Sequence, residues 1–483
     1  MTEAVHEMLV SHLVRPDGQE DLCFGLWKPS QGKSRLTALV HDVVLPGLHE
    51  RQVHGNASFN PTYLERALRL ASNANSGLAI IHSHPGAHTW QGMSLDDQHA
   101  EAGRAGSASA VTGMPLVGLT LAGRSENWSA RFWERVGQRA YEARDCESVR
   151  VVGKWLDISR PEQPRLFNPL LVRTLSAWGE TVQSTLEHLR VGVIGLGSVG
   201  SIVAESIARM GIGHLLLMDF DVVEEINLDR LLHATDIDAQ RSTPKVELAR
   251  RNAIRSATNP RFIVEALQYS VVEETGFRAA VDCDVLFSCV DRPWPRSALN
   301  LMARAHLIPV IDGGLRLEES PSGRGLRRAD LRAHTVTFGR PCLECIGQLS
   351  PELVSLERDG YLDDPAYIAS LPSDHPFKAR QNVFGFSVAL AGLELMQMLA
   401  MFVTNQLADP GAQTYHFVPG FLEKLDIDDR PGCLYTASTA LGDAAPFVLT
   451  GRHALAQAVR ERTAARKASL APRRRRSSGK AMQ

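Results

Sequence analysis

Several things are scarce in this chain, and each scarcity narrows what it can be. Seven cysteines in 483 residues are too few for a disulfide framework and point to a reducing, cytoplasmic setting. No apolar run reaches the roughly 18 residues that a membrane helix needs. The N-terminal stretch carries Glu3, His6, Glu7 and His12 where a signal peptide would have its apolar segment. A formal net charge of −2 and a pI near 6.8 supply no pull toward nucleic acid or a membrane surface, so neither is expected as a partner. Hydrophobic content of 44% and charged content of 22% are ordinary for a globular protein. The length suits two to four domains.

The pattern along the chain separates into regions. Residues 1–145 mix short strand-like runs with Gly, Pro and Asn turns and read as an α+β domain. Residues 146–170 read as a linker ending in prolines. Residues 171–440 alternate strand-like apolar runs with helical segments, the pattern of a Rossmann-like, doubly wound α/β domain. Residues 441–483 read as an extension; its end holds Arg473–Arg476 among serines with no apolar period, which reads as a solvated basic tail.

The α/β region opens with a buried strand at Val191–Ile194, then Gly195-x-Gly197-x-x-Gly200 and an amphipathic helix. Such glycines let backbone approach a phosphate at a helix N-terminus, where free N–H groups and the dipole favour anions. A second strand, His214–Met218, ends in Asp219, where a ribose-binding acid belongs. Alone, this pattern fits a dinucleotide dehydrogenase. The residues that follow turn it toward a triphosphate: Asp221, Asn227 and Arg230, then Lys245 directly after Pro244, then Asp291 after another apolar strand. Two cations and acids gathered at strand ends suit ATP with Mg²⁺.

These motifs, in this order, resemble the ThiF/MoeB and ubiquitin-activating-enzyme adenylation domain over about residues 170–400. Upstream, "RTLSAWG" resembles that family's N-terminal element, with Thr174 in place of the usual glutamine. The resemblance implies that Asp219 binds the ribose, Arg230 and Lys245 the phosphates and Asp291 the Mg²⁺. It implies a homodimer in which Arg173 reaches the partner's ATP. The implied reaction is attack of a protein's C-terminal glycine carboxylate on the α-phosphorus, giving an acyl-adenylate.

Cys342-x-x-Cys345 is half of a zinc knuckle. Only Cys433 follows it, so a structural Zn²⁺ site is one ligand short unless a histidine such as His375 completes it. The alternative is that Cys342 or Cys345 accepts the activated protein as a thioester, or that no cysteine does; the expected crossover loop, Leu349–Gln381, contains none. Cys283 and Cys289 read as packing residues.

In the first region, "AIIHSHPGAHTWQGMSLDD" places His82 and His84 two apart on a strand, hence on one face, with Ser94 and Asp97 beyond a loop. Two imidazoles and a carboxylate leave a fourth zinc position free, as a catalytic site needs. Ser94-x-x-Asp97 also reads as a helix cap. The stretch resembles the JAMM (JAB/MPN) metalloprotease motif, and the likeness covers about residues 5–140. It implies Zn²⁺ on His82, His84 and Asp97, Glu20 as general base with Glu50 as its rival, and Ser94 as oxyanion donor. His88 and His99 fit no ligand position.

A JAMM peptidase joined to an adenylating domain resembles the bacterial ubiquitin-like conjugation enzymes. The expected function is bifunctional: activation of a ubiquitin-like protein's terminal glycine, and zinc-dependent cleavage after it, with a conjugating-enzyme-like protein downstream. One alternative is activation and trimming of a sulfur-carrier protein for cofactor or metabolite synthesis. A remote one is an NAD-dependent oxidoreductase with a non-catalytic MPN scaffold.

Overall fold

A computed structural model describes every residue except Gly55, 162–167, 373–377, 379–380, 404–408 and 471–483. In chain order, the N-terminal unit contains α1 (Glu3–Leu13), β1 (Leu22–Gln31), β2 (Leu36–Val44), β3 (Arg51–His54), β4 (Asn56–Phe59), α2 (Pro61–Asn73), β5 (Gly77–His84), α3 (Leu95–Thr112), β6 (Leu116–Ala122), β7 (Asn127–Arg135) and β8 (Tyr141–Asp145). Six strands form one sheet in the order β2-β1-β5-β6-β7-β8. Its central strands are continuously apolar because both faces are covered. On one face Val5, Leu9 and Leu13 of α1 pack on Trp27, Ile81 and Leu119. On the other, Tyr63 and Ala67 of α2 and Ala105 of α3 pack on Phe24, Leu78 and Ile80.

The second unit contains α4 (Val172–Glu187), β11 (Arg190–Ile194), α5 (Ser198–Arg209), β12 (His214–Met218), α6 (Asp236–Gln240), α7 (Lys245–Ser256), β13 (Ile263–Leu267), α8 (Glu274–Val281), β14 (Val285–Ser288), α9 (Pro293–Ala305), β15 (Val310–Glu319) and β16 (Leu326–Val336). It continues with α10 (Pro351–Arg358), α11 (Pro365–Ser370), α12 (Phe384–Ala400), β17 (Ala412–His416), β18 (Phe421–Leu425), α13 (Leu434–Ala437) and α14 (Ala454–Leu470). The sheet order is β13-β12-β11-β14-β15-β16-β17-β18. The first five strands are parallel and the last three antiparallel. β11 pairs with β12 on one side and β14 on the other, so the order reverses there. A crevice at the carboxyl ends of strands flanking such a reversal is the ligand site of open α/β sheets.

Three expectations need correction. Residues 146–170 are not only a linker: β9 (Val149–Val152) and β10 (Leu156–Ser159) pair as a hairpin. Val149 and Val151 pack into the N-terminal core, while Leu156 packs with the second unit. The expected crossover loop Leu349–Gln381 carries α10 and α11. The extension after residue 440 is docked through its described part: Arg460 of α14 pairs with Glu273 and the Gly451 N–H donates to Val272 at 2.7 Å. Arg473–Arg476 lie outside the described residues.

A buried charge cluster joins the units. Asp284, fully buried at the start of β14, meets Arg35 of the β1–β2 turn at 2.8 Å, Arg150 of β9 at 3.1 Å and Arg160 at 3.6 Å. Burial alone would raise the Asp284 carboxyl, but the three guanidiniums outweigh it and hold it at about 2.

Candidate active sites

The first site lies at the β11/β14 reversal. β11 runs into Gly195, whose φ of +90° is open to glycine. A side chain there would press on the Cys289 carbonyl, and one at Gly200 on the Gly195 carbonyl, so strand, loop and helix meet only without them. Gly197 caps α5 with open space before it. Ser198, the next residue, has a buried hydroxyl with no hydrogen-bond partner. Free helix N–H groups and an orphan hydroxyl facing a glycine gap fit an anionic phosphate.

Asp219 ends β12. Its Oδ2 accepts the Leu196 N–H at 2.7 Å and its Oδ1 the Asp221 N–H at 2.8 Å. Burial raises this carboxyl; Lys245 opposes the shift and Asp221 adds to it. Lys245 is the first residue of α7, where Pro244 sets the turn, and its Nζ donates to Asp221 at 2.9 Å. Burial disfavours its charge, but Asp219, Asp221 and Asp291 together keep it raised and cationic. Asp291 follows β14 and is exposed. The loop, both aspartates, Lys245 and Asp291 therefore share one electrostatic site, with a cation and two accessible carboxylates around the helix terminus.

Other expected members lie apart. Asn227 accepts the Glu224 N–H and serves as a local cap. Arg230 donates to the Ile226 carbonyl and to Asp229, an arrangement that must break for it to reach a phosphate. Arg173 is exposed in the first turn of α4 and makes no ion pair among the described residues. Sequence reasoning missed Ser198 and Glu357. The Glu357 carboxylate accepts the Trp294 N–H at 2.6 Å near Asp291, and burial lifts it to about 7. Nothing in the local sequence marks Glu357; Ser198 stands inside the glycine motif.

The second cluster is in the N-terminal unit. His82 and His84 end β5, and Asp97 lies in the first turn of α3. Asp97 is 3.4 Å from His82 Nε2 and 3.5 Å from His84 Nε2. One donor atom from each residue falls within 4.8 Å of the others. β1 pairs antiparallel with β5, Leu22 opposite His82; continuing that register sets Glu20 beside His84. Burial raises the Glu20 carboxyl, with His84 opposing and Asp97 adding. Burial depresses His82 to about 3, so it is neutral; the hydrogen bond to Asp97 raises His84. Glu50 is tied to Arg66 and the Gly47 N–H instead. Two imidazole nitrogens and a carboxylate beside a base suit zinc with an open position. Ser94 caps α3: its hydroxyl donates to Asp97 at 2.8 Å and accepts the Asp97 N–H. It must turn away from Asp97 to donate elsewhere.

The third cluster is Cys342, Cys345 and Cys433. Cys342 Sγ is 3.6 Å from Cys345 Sγ and 3.5 Å from Cys433 Sγ. All three are buried, and burial raises the Cys342 and Cys345 thiols. A thioester acceptor needs an accessible thiolate, so this placement favours the metal reading over the acceptor reading. Thr436 stands three residues after Cys433, where a second C-x-x-C would put its cysteine, and its buried hydroxyl has no hydrogen-bond partner. His375 lies outside the described residues.

Among known proteins, the chain is 29% identical over 199 residues to the molybdopterin-synthase adenylyltransferase of Escherichia coli, covering 41% of this chain and 72% of that protein. It is 32% identical over 137 residues to ubiquitin-like modifier-activating enzyme 5 of Drosophila mojavensis, covering 26% of this chain and 33% of that protein. It thus spans most of the first relative but only about a third of the second. A crystal structure of E. coli MccB with ATP superposes at a TM-score of 0.42 with 17% identity, over 56% of this chain and 75% of that one, too distant to carry an argument. Residues 171–420 match the ThiF family; they are more than half of the sequence, and the chain belongs to that family.

Proposed function

We propose that the second unit adenylates the C-terminal glycine carboxylate of a ubiquitin-like or sulfur-carrier protein with ATP. The observation that carries this reading is the gathering of Asp219, Asp221, Lys245 and Asp291 around the glycine loop at the β11/β14 reversal. In the proposed step a carboxylate oxygen attacks the α-phosphorus, the bond to the β-phosphate oxygen breaks, and pyrophosphate leaves with the electron pair. No protein nucleophile is needed; positioning and neutralisation of charge suffice. Asp219, already binding two backbone N–H groups, holds the loop and faces the ribose. Lys245 exchanges Asp221 for a phosphate oxygen. Asp291 and Asp221 would hold Mg²⁺, which supplies charge neutralisation on the polyphosphate. Arg173 would complete the site from the second subunit of a homodimer. Family membership leaves the oxidoreductase alternative without support.

The test is ATP–pyrophosphate exchange with a candidate carrier ending in glycine. Exchange that depends on the carrier and falls at least about 100-fold in Asp291→Ala supports the reading; exchange absent with every candidate carrier, or unchanged in that variant, rejects it. Burial of Cys342 and Cys345 favours the sulfur-carrier route. Its product is a thiocarboxylate, against a thioester to a conjugating-enzyme-like protein on the ubiquitin-like route; mass analysis of the carrier distinguishes them.

For the N-terminal unit the proposed activity is JAMM-type, zinc-dependent cleavage after the carrier's last glycine. His82, His84 and Asp97 would hold the zinc, which supplies a Lewis acid at the scissile carbonyl. Glu20 takes the proton of the attacking water and passes it to the leaving amine, a task suited by its raised value. Ser94, released from Asp97, donates to the developing oxyanion. Cleavage of a carrier fusion insensitive to chelators and to Glu20→Gln would reject this part alone.

A further inference from the structure

The stretch after residue 440 lies beyond the residues that match the family, yet its described part reaches the nucleotide crevice. The His453 ring packs on Phe220 at 5.0 Å and on Trp294 at 5.7 Å. Phe220 directly follows Asp219, and Trp294 lies three residues after Asp291. Farther on, α14 passes the carboxyl end of β13, where Arg460 donates to the Gln268 carbonyl at 3.3 Å and to Glu273 at 2.7 Å. Gln268 follows Leu267, the last residue of β13, whose carbonyl accepts the Asp219 N–H at 3.3 Å. The half-buried Gln268 side chain is held from two sides. Its Nε2 donates to the Phe220 carbonyl at 3.1 Å and to the Thr463 hydroxyl oxygen of α14 at 3.2 Å. Thr463 spends its own hydroxyl proton on the Val459 carbonyl at 2.9 Å. A carbonyl can only accept, and this hydroxyl has no proton left to give, so both partners require the amide nitrogen. The amide oxygen of Gln268 is left over, with no partner among the described residues.

The strand order lays a nucleotide out across the sheet. Phosphates at the start of α5 lie by β11, the ribose lies on Asp219 at the end of β12, and the base falls over the next strand end, that of β13. We infer that Gln268, oriented by Thr463 of the C-terminal extension, selects adenine there. The inference rests on the adenylation reading of the glycine-loop site and names how that site chooses its nucleotide. Adenine carries an N6 amine, a donor, where guanine carries the O6 acceptor. An oxygen that can only accept pairs with the first and opposes the second. Turning the amide over to suit guanine would set its oxygen against the Phe220 carbonyl and leave Thr463 without its donor. Mispairing of this kind is what lets a hydrogen-bonding site reject the wrong ligand. Gln268 is the residue that meets the base, and Thr463 is a positioning residue that acts through it.

The probes are the α,β-methylene analogues of ATP and GTP, titrated calorimetrically with Mg²⁺ into the full-length protein without a carrier. The adenine analogue is expected to bind at least about tenfold tighter than the guanine one. Thr463→Val keeps the shape, removes the acceptor and frees the amide to turn, so it should bring the ratio of the two affinities toward one. Thr463→Ser restores the hydroxyl and should restore the ratio. If Thr463→Val does not fold, Gln268→Ala carries the test and should likewise lose the preference. Equal binding of the two analogues by the wild type would overturn the inference. So would a wild-type ratio in the variant that folds, or a parallel weakening of both analogues, which is what a merely structural role produces. If neither analogue binds, the inference falls together with the nucleotide site. Adenine preference that responds to Thr463→Val while ATP–pyrophosphate exchange is absent with every carrier would reject the adenylation reading and uphold the role of Gln268.

Discussion

The Leu196 N–H donates to the carboxylate of Asp219 at 2.7 Å, tying the middle of the glycine loop to the end of the neighbouring strand. On the proposed function the acid has two duties, fixing the loop and facing the nucleotide. Asp219→Ala leaves two N–H groups without their acceptor, each worth about 1–3 kcal/mol when buried. It is expected to lower the thermal midpoint and abolish exchange together. Lys245→Ala, which breaks one hydrogen bond, to Asp221, is expected to cut exchange at least about 100-fold while keeping most of the stability. Equal loss of stability in both variants would contradict the division of roles.

Metal content separates the histidine cluster from the thiol cluster. His82→Ala should remove one zinc equivalent from the full chain and Cys342→Ser a second, independently. Glu20→Gln should keep its zinc and lose cleavage about 100-fold or more. Zinc must displace a proton from His84, which is raised above 6.5. Metal retention should therefore fail on acidification from a higher pH than an ordinary histidine would set, as dialysis across pH 5–8 can show.

Glu394 of α12 is fully buried; its Oε2 accepts the Cys289 thiol at 3.5 Å and its Oε1 has no partner. Burial, with Asp312 adding, lifts it from 4.5 to about 8. A carboxyl raised in the folded state stabilises below the unfolded value, and that stability drains away as pH rises from 4.5 to 8. Glu394→Gln should flatten the slope and raise the midpoint at pH 9 by about 5 °C. A wild-type midpoint that does not decline across this window would contradict it.

Asp284→Asn leaves Arg35, Arg150 and Arg160 buried together with no carboxylate between them. The expected cost is about 3–5 kcal/mol, with both units melting earlier. Calorimetry that shows only the second unit affected would mean the cluster does not join them.

The sheet of the second unit was largely legible because parallel strands buried on both faces are unbroken apolar runs between glycine and proline signals. His214–Met218 coincides with the predicted strand. Motif residues could be named from spacing, since each sits at a strand end that the pattern locates. What remained hidden depends on distant partners. That Arg230 is engaged with Asp229, and Ser94 with Asp97, follows from rotamers. The β9–β10 hairpin is too short to stand out from a linker until its two neighbours are seen. Glu357 and Glu394 lie on helices whose sequence does not reveal that they are buried.

That hairpin changes how the halves can cooperate. With one end packed in the first core and the other in the second, the segment works as a weld rather than a tether. On the proposed function, a carrier trimmed at the first site would have no arm to carry it to the second. It would have to leave into bulk solution and be captured again, in competition with every other free copy. The order of events is then governed by the size of that pool rather than by the architecture of the enzyme.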